Sequence, residues 1–195
     1  ISQMVSAMHA QLARHADSSD AFVPGKGKPE QTLIWQEGPI WCRARVDWLP
    51  NVPPIVYDLK TVGVSANPDS AGRHLFSQGY DFQAAWYLRG LRKLTGQSWR
   101  MRFVCVEVDK PHALSVIEID EEAVSLADRE CERAIRLWGE CLAANEWPGY
   151  PNETVIVGAP MWRQNHILGV EIREHTAREG GKDLFKSLTR WQAPL

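Results

Sequence analysis

The chain has 195 residues, 44% of them hydrophobic and 24% charged, and a net charge of −2. That length suits one globular domain with some extension, and the mild charge does not announce a nucleic-acid binder by itself. No apolar run approaches the roughly 20 residues that span a bilayer, and no signal peptide opens the chain, so no membrane partner is expected.

The four cysteines, Cys42, Cys105, Cys131 and Cys141, form no C-x-x-C pair. That spacing argues against a zinc knuckle and a secreted disulfide scaffold, and favours reduced, buried thiols in a cytoplasmic protein.

Ile1 falls inside a helical pattern rather than before one, so a trimmed fragment is expected. Met4, Val5, Ala7, Met8 and Leu12 space the first helix over residues 2–15. A Ser-, Asp-, Gly- and Pro-rich loop follows over 17–29. Strands are expected over 30–36, 40–49 and 55–62, with turns at Gly38-Pro39 and at residues 50–54. A loop over 63–77 holds at most a short helix after Asn67-Pro68-Asp69. Tyr80, Gln83, Ala84, Tyr87, Leu88 and Leu91 then share one face of a helix over 80–94, stopped by Gly96. Strands over 99–108 and 113–119 come next. A long helix over 120–145 has Asp120 as its N-cap and Glu121 and Glu122 in its first turn, where the helix dipole favours acids. Beyond Trp147 the pattern is irregular, with a strand-like stretch at 154–157 and a basic tail. The order gives a mixed α/β layer arrangement, with residues 1–147 as the core and 148–195 as an extension that packs on the core or on an oligomer neighbour.

Five basic residues between Arg89 and Arg102 face no acid in sequence, against an acid-rich stretch from Glu118 to Glu132. Either a one-sided phosphate surface or a solvated helix end explains them, and charge alone favours the second. Trp35, Trp41, Trp48, Trp86 and Trp99 read as core rather than as stacking platforms.

The strands over 40–49 and 55–62 hold the unusual chemistry. Period two puts Cys42, Ala44, Val46 and Trp48 on one side and Arg43, Arg45 and Asp47 on the other. In the next strand Val56, Asp58 and Lys60 oppose Ile55, Tyr57 and Leu59. Two carboxylates that converge repel unless a cation lies between them, and hard oxygen ligands favour Mg²⁺ or Mn²⁺. Such a metal acidifies a water, and Lys60 could orient that water or stabilise charge on a phosphate. The alternative is an ordinary salt bridge on an exposed strand. Everything depends on register. If Leu49 pairs with Ile55, Asp47 faces Tyr57 and the two aspartates lie on opposite sides, so convergence requires a shifted pairing or a bulge. Gln83 and Tyr87, at i and i+4, are polar-tipped on an otherwise apolar stripe. They either dock beside the hairpin or pack at the core boundary. Arg43 and Arg45 either contact DNA phosphates or balance the aspartates.

Arg45-Val-Asp47, Tyr57-Asp58-Leu-Lys60-Thr61 and Tyr80-Asp-Phe-Gln83-Ala-Ala-Trp-Tyr87 together resemble the PD-(D/E)xK nuclease superfamily, and within it the RecE-type exonuclease VIII branch. Glu30 before an apolar strand and Trp147-Pro-Gly-Tyr150 are similar to that branch as well. Val46 stands where the family usually has Pro, and neither His9 nor His15 matches the family's upstream histidine. The resemblance implies an α/β, restriction-endonuclease-like core, a central mixed β-sheet flanked by helices. It implies Asp47, Asp58 and the Leu59 carbonyl as ligands of Mg²⁺, with Mn²⁺ as a substitute, and Glu30 as a possible addition. It implies Lys60 as catalytic, with Gln83 and Tyr87 near the reacting phosphate. It further implies 5′-to-3′ degradation of linear double-stranded DNA from its ends, a homo-oligomeric ring, and a single-strand annealing protein as partner in recombination. Two other outcomes fit the same residues: an endonuclease of the superfamily, or a non-catalytic DNA-binding or assembly module that has kept the fold.

Overall fold

The computed structural model describes residues 1–180. The basic tail expected from sequence lies partly outside them. Two compact units divide the chain, Ile1–Trp147 and Pro148–Leu195.

The first unit is built on a five-stranded sheet in the order β1-β2-β3-β4-β5. The strands are β1 (Gly27–Glu37), β2 (Ile40–Pro50), β3 (Ile55–Val62), β4 (Arg100–Glu107) and β5 (Leu114–Glu118). Every neighbouring pair is antiparallel except β3 and β4, which run parallel. A parallel pair needs a long crossover, and here helices α2 (Pro68–Ser77) and α3 (Tyr80–Thr95) supply it. The expected short helix after Asn67 is therefore ten residues long. Asn67 caps it by accepting a hydrogen bond from the Asp69 N–H at 3.0 Å, and Pro68 occupies its first turn. Gly79 and Gly96, with φ of 69° and 70°, bracket α3 in the left-handed region that glycine adopts without strain.

Two hydrophobic cores lie against the sheet. The larger gathers Leu33, Trp35, Cys42, Ala44 and Val46 from the first hairpin, Val56, Met101 and Phe103 from the centre, and Ala84 and Leu91 from α3. The smaller joins Met8 and Leu12 of α1 (Ser2–Leu12) to Trp48, Tyr57, Val104 and Val106. Between Val46 and Trp48 the buried row of β2 passes from the first core to the second. Helix α4 (Glu121–Ala144) rests on α3 through Ala127 and Cys131 against Ala85. Its N-cap is Asp120, which accepts from the Ala123 N–H at 2.7 Å. Cys42, Cys105 and Cys131 are buried free thiols, and burial pushes Cys105 up to about 11 and Cys131 up to about 12.

All five basic residues between Arg89 and Arg102 are ion-paired with acids of the same unit. Arg89, with a side chain 11% exposed, holds Glu37 at 2.8 Å and Asp128 at 2.7 Å. Burial works against the Arg89 charge, and these two carboxylates more than offset it. Arg92 and Lys93 join the same knot, and Arg100 and Arg102 pair with Glu118. Sequence could not show this, because the acids arrive from β1, β5 and α4.

The second unit holds α5 (Met161–Glu179). The strand-like stretch at 154–157 is not a strand. Among the described residues its β-branched side chains have no neighbouring strand to pair with, and a strand without a partner has no ladder. The helix after it escaped the sequence reading because its apolar positions are exposed, among them Ile167, Leu168 and Ile172.

Gly90 lies where α3 crosses the Trp35 indole. A Cβ there would meet Trp35 Cζ3 at 2.8 Å, and Trp35 is buried. The gain in helix propensity from Gly90→Ala is therefore outweighed by overpacking, and we expect a net loss of about 1–2 kcal/mol in urea unfolding with an unchanged m-value.

Candidate active site and metal centre

The register between β2 and β3 settles which side chains meet. Trp48 lies opposite Tyr57. One step along each strand places Asp47 opposite Asp58, and opposed residues project to the same side. The β2 alternation also breaks here, since Val46 and Trp48, two residues apart, line different cores. The Pro-rich connection is longer than a tight turn, so the pairing slips by one residue relative to Leu49 against Ile55. Trp48 and Tyr57 are also the only ladder pair between these strands. Past them the strands part, and the gap is bridged by a side chain: Asp47 Oδ2 accepts a hydrogen bond from the Leu59 N–H at 2.9 Å. The N–H and C=O of one strand residue leave on the same edge, so the Leu59 carbonyl points into the same gap.

Asp58 is the buried member of the pair, 1% exposed. Lys60 Nζ lies 2.6 Å from Asp58 Oδ2. That short, charge-assisted contact holds Oδ2 and lowers the cost of burying the carboxylate. Asp58 Oδ1 accepts from Gln83 Nε2 at 2.8 Å, and Gln83 Oε1 accepts from Lys60 Nζ at 3.0 Å. One amide thus bridges acid and base, using its donor on the first and its acceptor on the second. Burial pushes the Asp58 carboxyl up to about 6, with the Asp47 charge adding and Lys60 and Gln83 opposing. Burial also holds the Tyr87 phenol above its ordinary value, which keeps it a neutral donor.

Asp47, Asp58, Lys60, Gln83 and Tyr87 line one open cleft of about 670 Å³ with Arg43 and Arg45. The structure therefore brings together the two aspartates, the lysine, the α3 pair and both arginines. Glu30 is set apart. It adopts a φ of 54°, pairs with Arg45 at 2.9 Å and does not line the cleft. Two contributors were missed. Thr32 lines the cleft from β1. Tyr80 stacks its ring 4.2 Å from Lys60 Nζ, a cation–π contact that confines the ammonium. Its position three residues before Gln83, on the same helical face, was the available signal. Trp41 corrects the sequence reading in another way: it is 69% exposed and not part of the core. It sits on the outward row of β2 with Arg43 and Arg45, where period two alone would have placed it.

The residues present fit a hard divalent cation. Two opposed carboxylates, Asp47 and Asp58, with the Leu59 carbonyl on the same strand edge as the Leu59 N–H that Asp47 holds, form an oxygen-only set beside an open cleft. Mg²⁺ is characteristically held by one or two carboxylates and completes its shell with water and substrate phosphate. Among the described residues no group of three or more His, Cys, Asp or Glu is placed to hold a metal.

A mixed sheet with paired aspartates and a lysine at a splayed strand pair is the architecture of PD-(D/E)xK, restriction-endonuclease-like proteins. The chain belongs to the family described as "PDDEXK-like domain of unknown function (DUF3799)", whose model matches residues 2–157. A solved structure described as a "Putative exonuclease" from Eubacterium rectale is similar in fold, with a TM-score of 0.51 and 14% identity. The likeness covers 77% of this chain and 63% of that one, so the chain spans less than two thirds of its neighbour's length. The crystal structure of SSO0001 is also similar, at 16% identity over 68% of this chain and 58% of that one, with a TM-score of 0.38. No curated protein matches the sequence. The family supports a nuclease.

Asp58 makes the fold pH-dependent in a definite direction. Its folded value of about 6 lies above an unfolded value of about 3.9, so its contribution is fully present below about pH 4 and lost as pH rises through 6. In EDTA at pH 8, Asp58→Asn should stabilise the protein by about 1–3 kcal/mol, and at pH 4 it should have little effect. Urea titrations at the two pH values check this; equal effects at both would contradict it.

Proposed function

We propose that this protein is a Mg²⁺-dependent deoxyribonuclease that hydrolyses DNA phosphodiesters. The observation that carries the reading is the convergence of Asp47, Asp58, Lys60 and Gln83 on one cleft, with Gln83 holding acid and base together.

Asp47, Asp58 and the Leu59 carbonyl would hold Mg²⁺, which supplies charge stabilisation at a phosphoryl oxygen and acidifies water. This chain's residues do the rest. Lys60 is confined by Tyr80 and Gln83, so its ammonium faces the cleft in a fixed place and can orient the attacking water and offset charge gathering on the phosphate. Tyr87 keeps its proton and donates to a phosphate oxygen. Arg43 and Arg45, exposed along the cleft rim, contact backbone phosphates and read no sequence. The water oxygen bonds to phosphorus, one P–O ester bond breaks, and the water proton is lost while the leaving oxygen gains one. The products are a phosphate monoester and a hydroxyl end.

The RecE-type resemblance extends this reading to 5′-to-3′ digestion of linear duplex DNA from its ends. It also brings a ring of like subunits, a single-strand annealing partner, a cytoplasmic location and a role in recombination.

With Mg²⁺ or Mn²⁺, linear duplex DNA should be consumed while covalently closed circles survive. Equal loss of both would replace the exonuclease reading with an endonuclease. Lys60→Ala should lower cleavage by about 100-fold or more, with the circular-dichroism spectrum unchanged because Asp58 then takes up a proton. Full activity in that variant would remove Lys60 from the mechanism. Failure of the wild-type protein to bind Mg²⁺ or Mn²⁺ by calorimetry would leave a non-catalytic DNA-binding module.

A further inference from the structure

Beside the cleft lies a second groove of about 460 Å³, within the usual range for a small-ligand site of roughly 300–1,000 Å³. Three tryptophans reach it from three elements: Trp41 from β2, Trp86 from α3 and Trp138 from α4. Trp41 and Trp138 are 69% and 53% exposed. Large aromatic faces left open together on a soluble domain call for a function. Two of the three are braced. Trp86 donates its indole N–H to the Arg43 carbonyl at 3.1 Å, and Trp138 packs edge-on against Trp147 at 4.8 Å.

Continuity and charge identify the occupant. Arg43, Gln83 and Tyr87 line both this groove and the catalytic cleft, so the two are one continuous surface. A strand with one phosphate at Lys60 therefore has its neighbouring nucleotides within reach of the tryptophans. No acid lines the groove, although the chain is net negative, and its one charged side chain is Arg43. Apolar aromatic faces joined to a cationic rim suit a base with its phosphate, and a base gains from stacking without any sequence requirement. A paired base inside a duplex presents no face to such a shelf.

We infer that Trp41, Trp86 and Trp138 form a stacking shelf for unpaired bases of the DNA strand being cleaved, so that the preferred substrate is a duplex with a single-stranded or frayed end. The inference rests on the nuclease reading for its substrate, and deepens it.

The test uses the full chain in EDTA, where no cleavage occurs. It compares three duplexes: blunt, with a four-nucleotide unpaired tail, and with an abasic tail that keeps the phosphates. The tailed duplex should quench tryptophan fluorescence and bind about tenfold more tightly than the abasic-tailed one. Trp41→Ala and Trp138→Ala, both at exposed positions, should each remove most of that difference, and Trp41→Phe should keep it. Equal affinity for intact and abasic tails, or a preference that survives Trp41→Ala, would overturn the shelf. So would light scattering that shows a dimer dissolved by Trp41→Ala, because a second copy would then fill the groove. These outcomes separate from the nuclease reading. Mg²⁺-dependent digestion without base-dependent binding sinks the shelf alone, whereas base-dependent binding without digestion sinks the nuclease reading alone.

Discussion

The hydrogen bond from the Leu59 N–H to the Asp47 carboxylate is the contact on which the site depends. In an ordinary antiparallel pair that N–H would meet a backbone carbonyl. Here a side chain takes its place, so β2 and β3 can separate without leaving a buried donor unpaired. The separation opens the cleft, aims the Leu59 carbonyl into it and fixes one oxygen of Asp47. Remove the contact, and closing the gap by regular pairing would fill the space where substrate must lie.

The Asp58–Gln83–Lys60 triangle is the second half of the design. A carboxylate this buried is held near 6 because one lysine and one amide only partly offset its desolvation. The protein thus keeps a strained charge balance at the centre of an otherwise apolar core. Phe103 beneath it, and the Tyr80 ring over Lys60, leave the ammonium little room to wander. Stability given up at Asp58 is recovered elsewhere, notably in the Arg89 knot, whose acids come from both sides of α3.

Much of this was legible in the sequence. The strands carrying Asp47 and Asp58, the α3 stripe with Gln83 and Tyr87, and the caps at Asp120 and Gly96 follow local rules of period and capping, and local rules can be read. Register could not, because a Pro-rich connection of this length permits more than one pairing, and one residue of slip exchanges faces. The pairing of the Arg89–Arg102 basic run was hidden for a related reason: its partners lie far away in sequence. Trp41 was misjudged by residue type, although its place in the β2 alternation pointed outward. Helix α5 has no buried stripe to announce it.

The site and the fold draw on very different lengths of chain. Asp47 reaches Leu59 across 12 positions, Lys60 reaches Gln83 across 23, and Gln83 reaches Asp58 across 25. Arg102, which ties the loop after α1 to β4 and β5 through Asp17, Ser18 and Glu118, spans 85 positions to reach Asp17. Closing the longer loop costs about 1 kcal/mol more in chain entropy than closing that from Lys60 to Gln83. The reactive centre is thus a nearly local object, one hairpin and one crossover, and it is entropically cheaper to assemble than the frame around it. Insertions in the remote frame would stretch the long closures and leave the spacing of the chemistry unchanged.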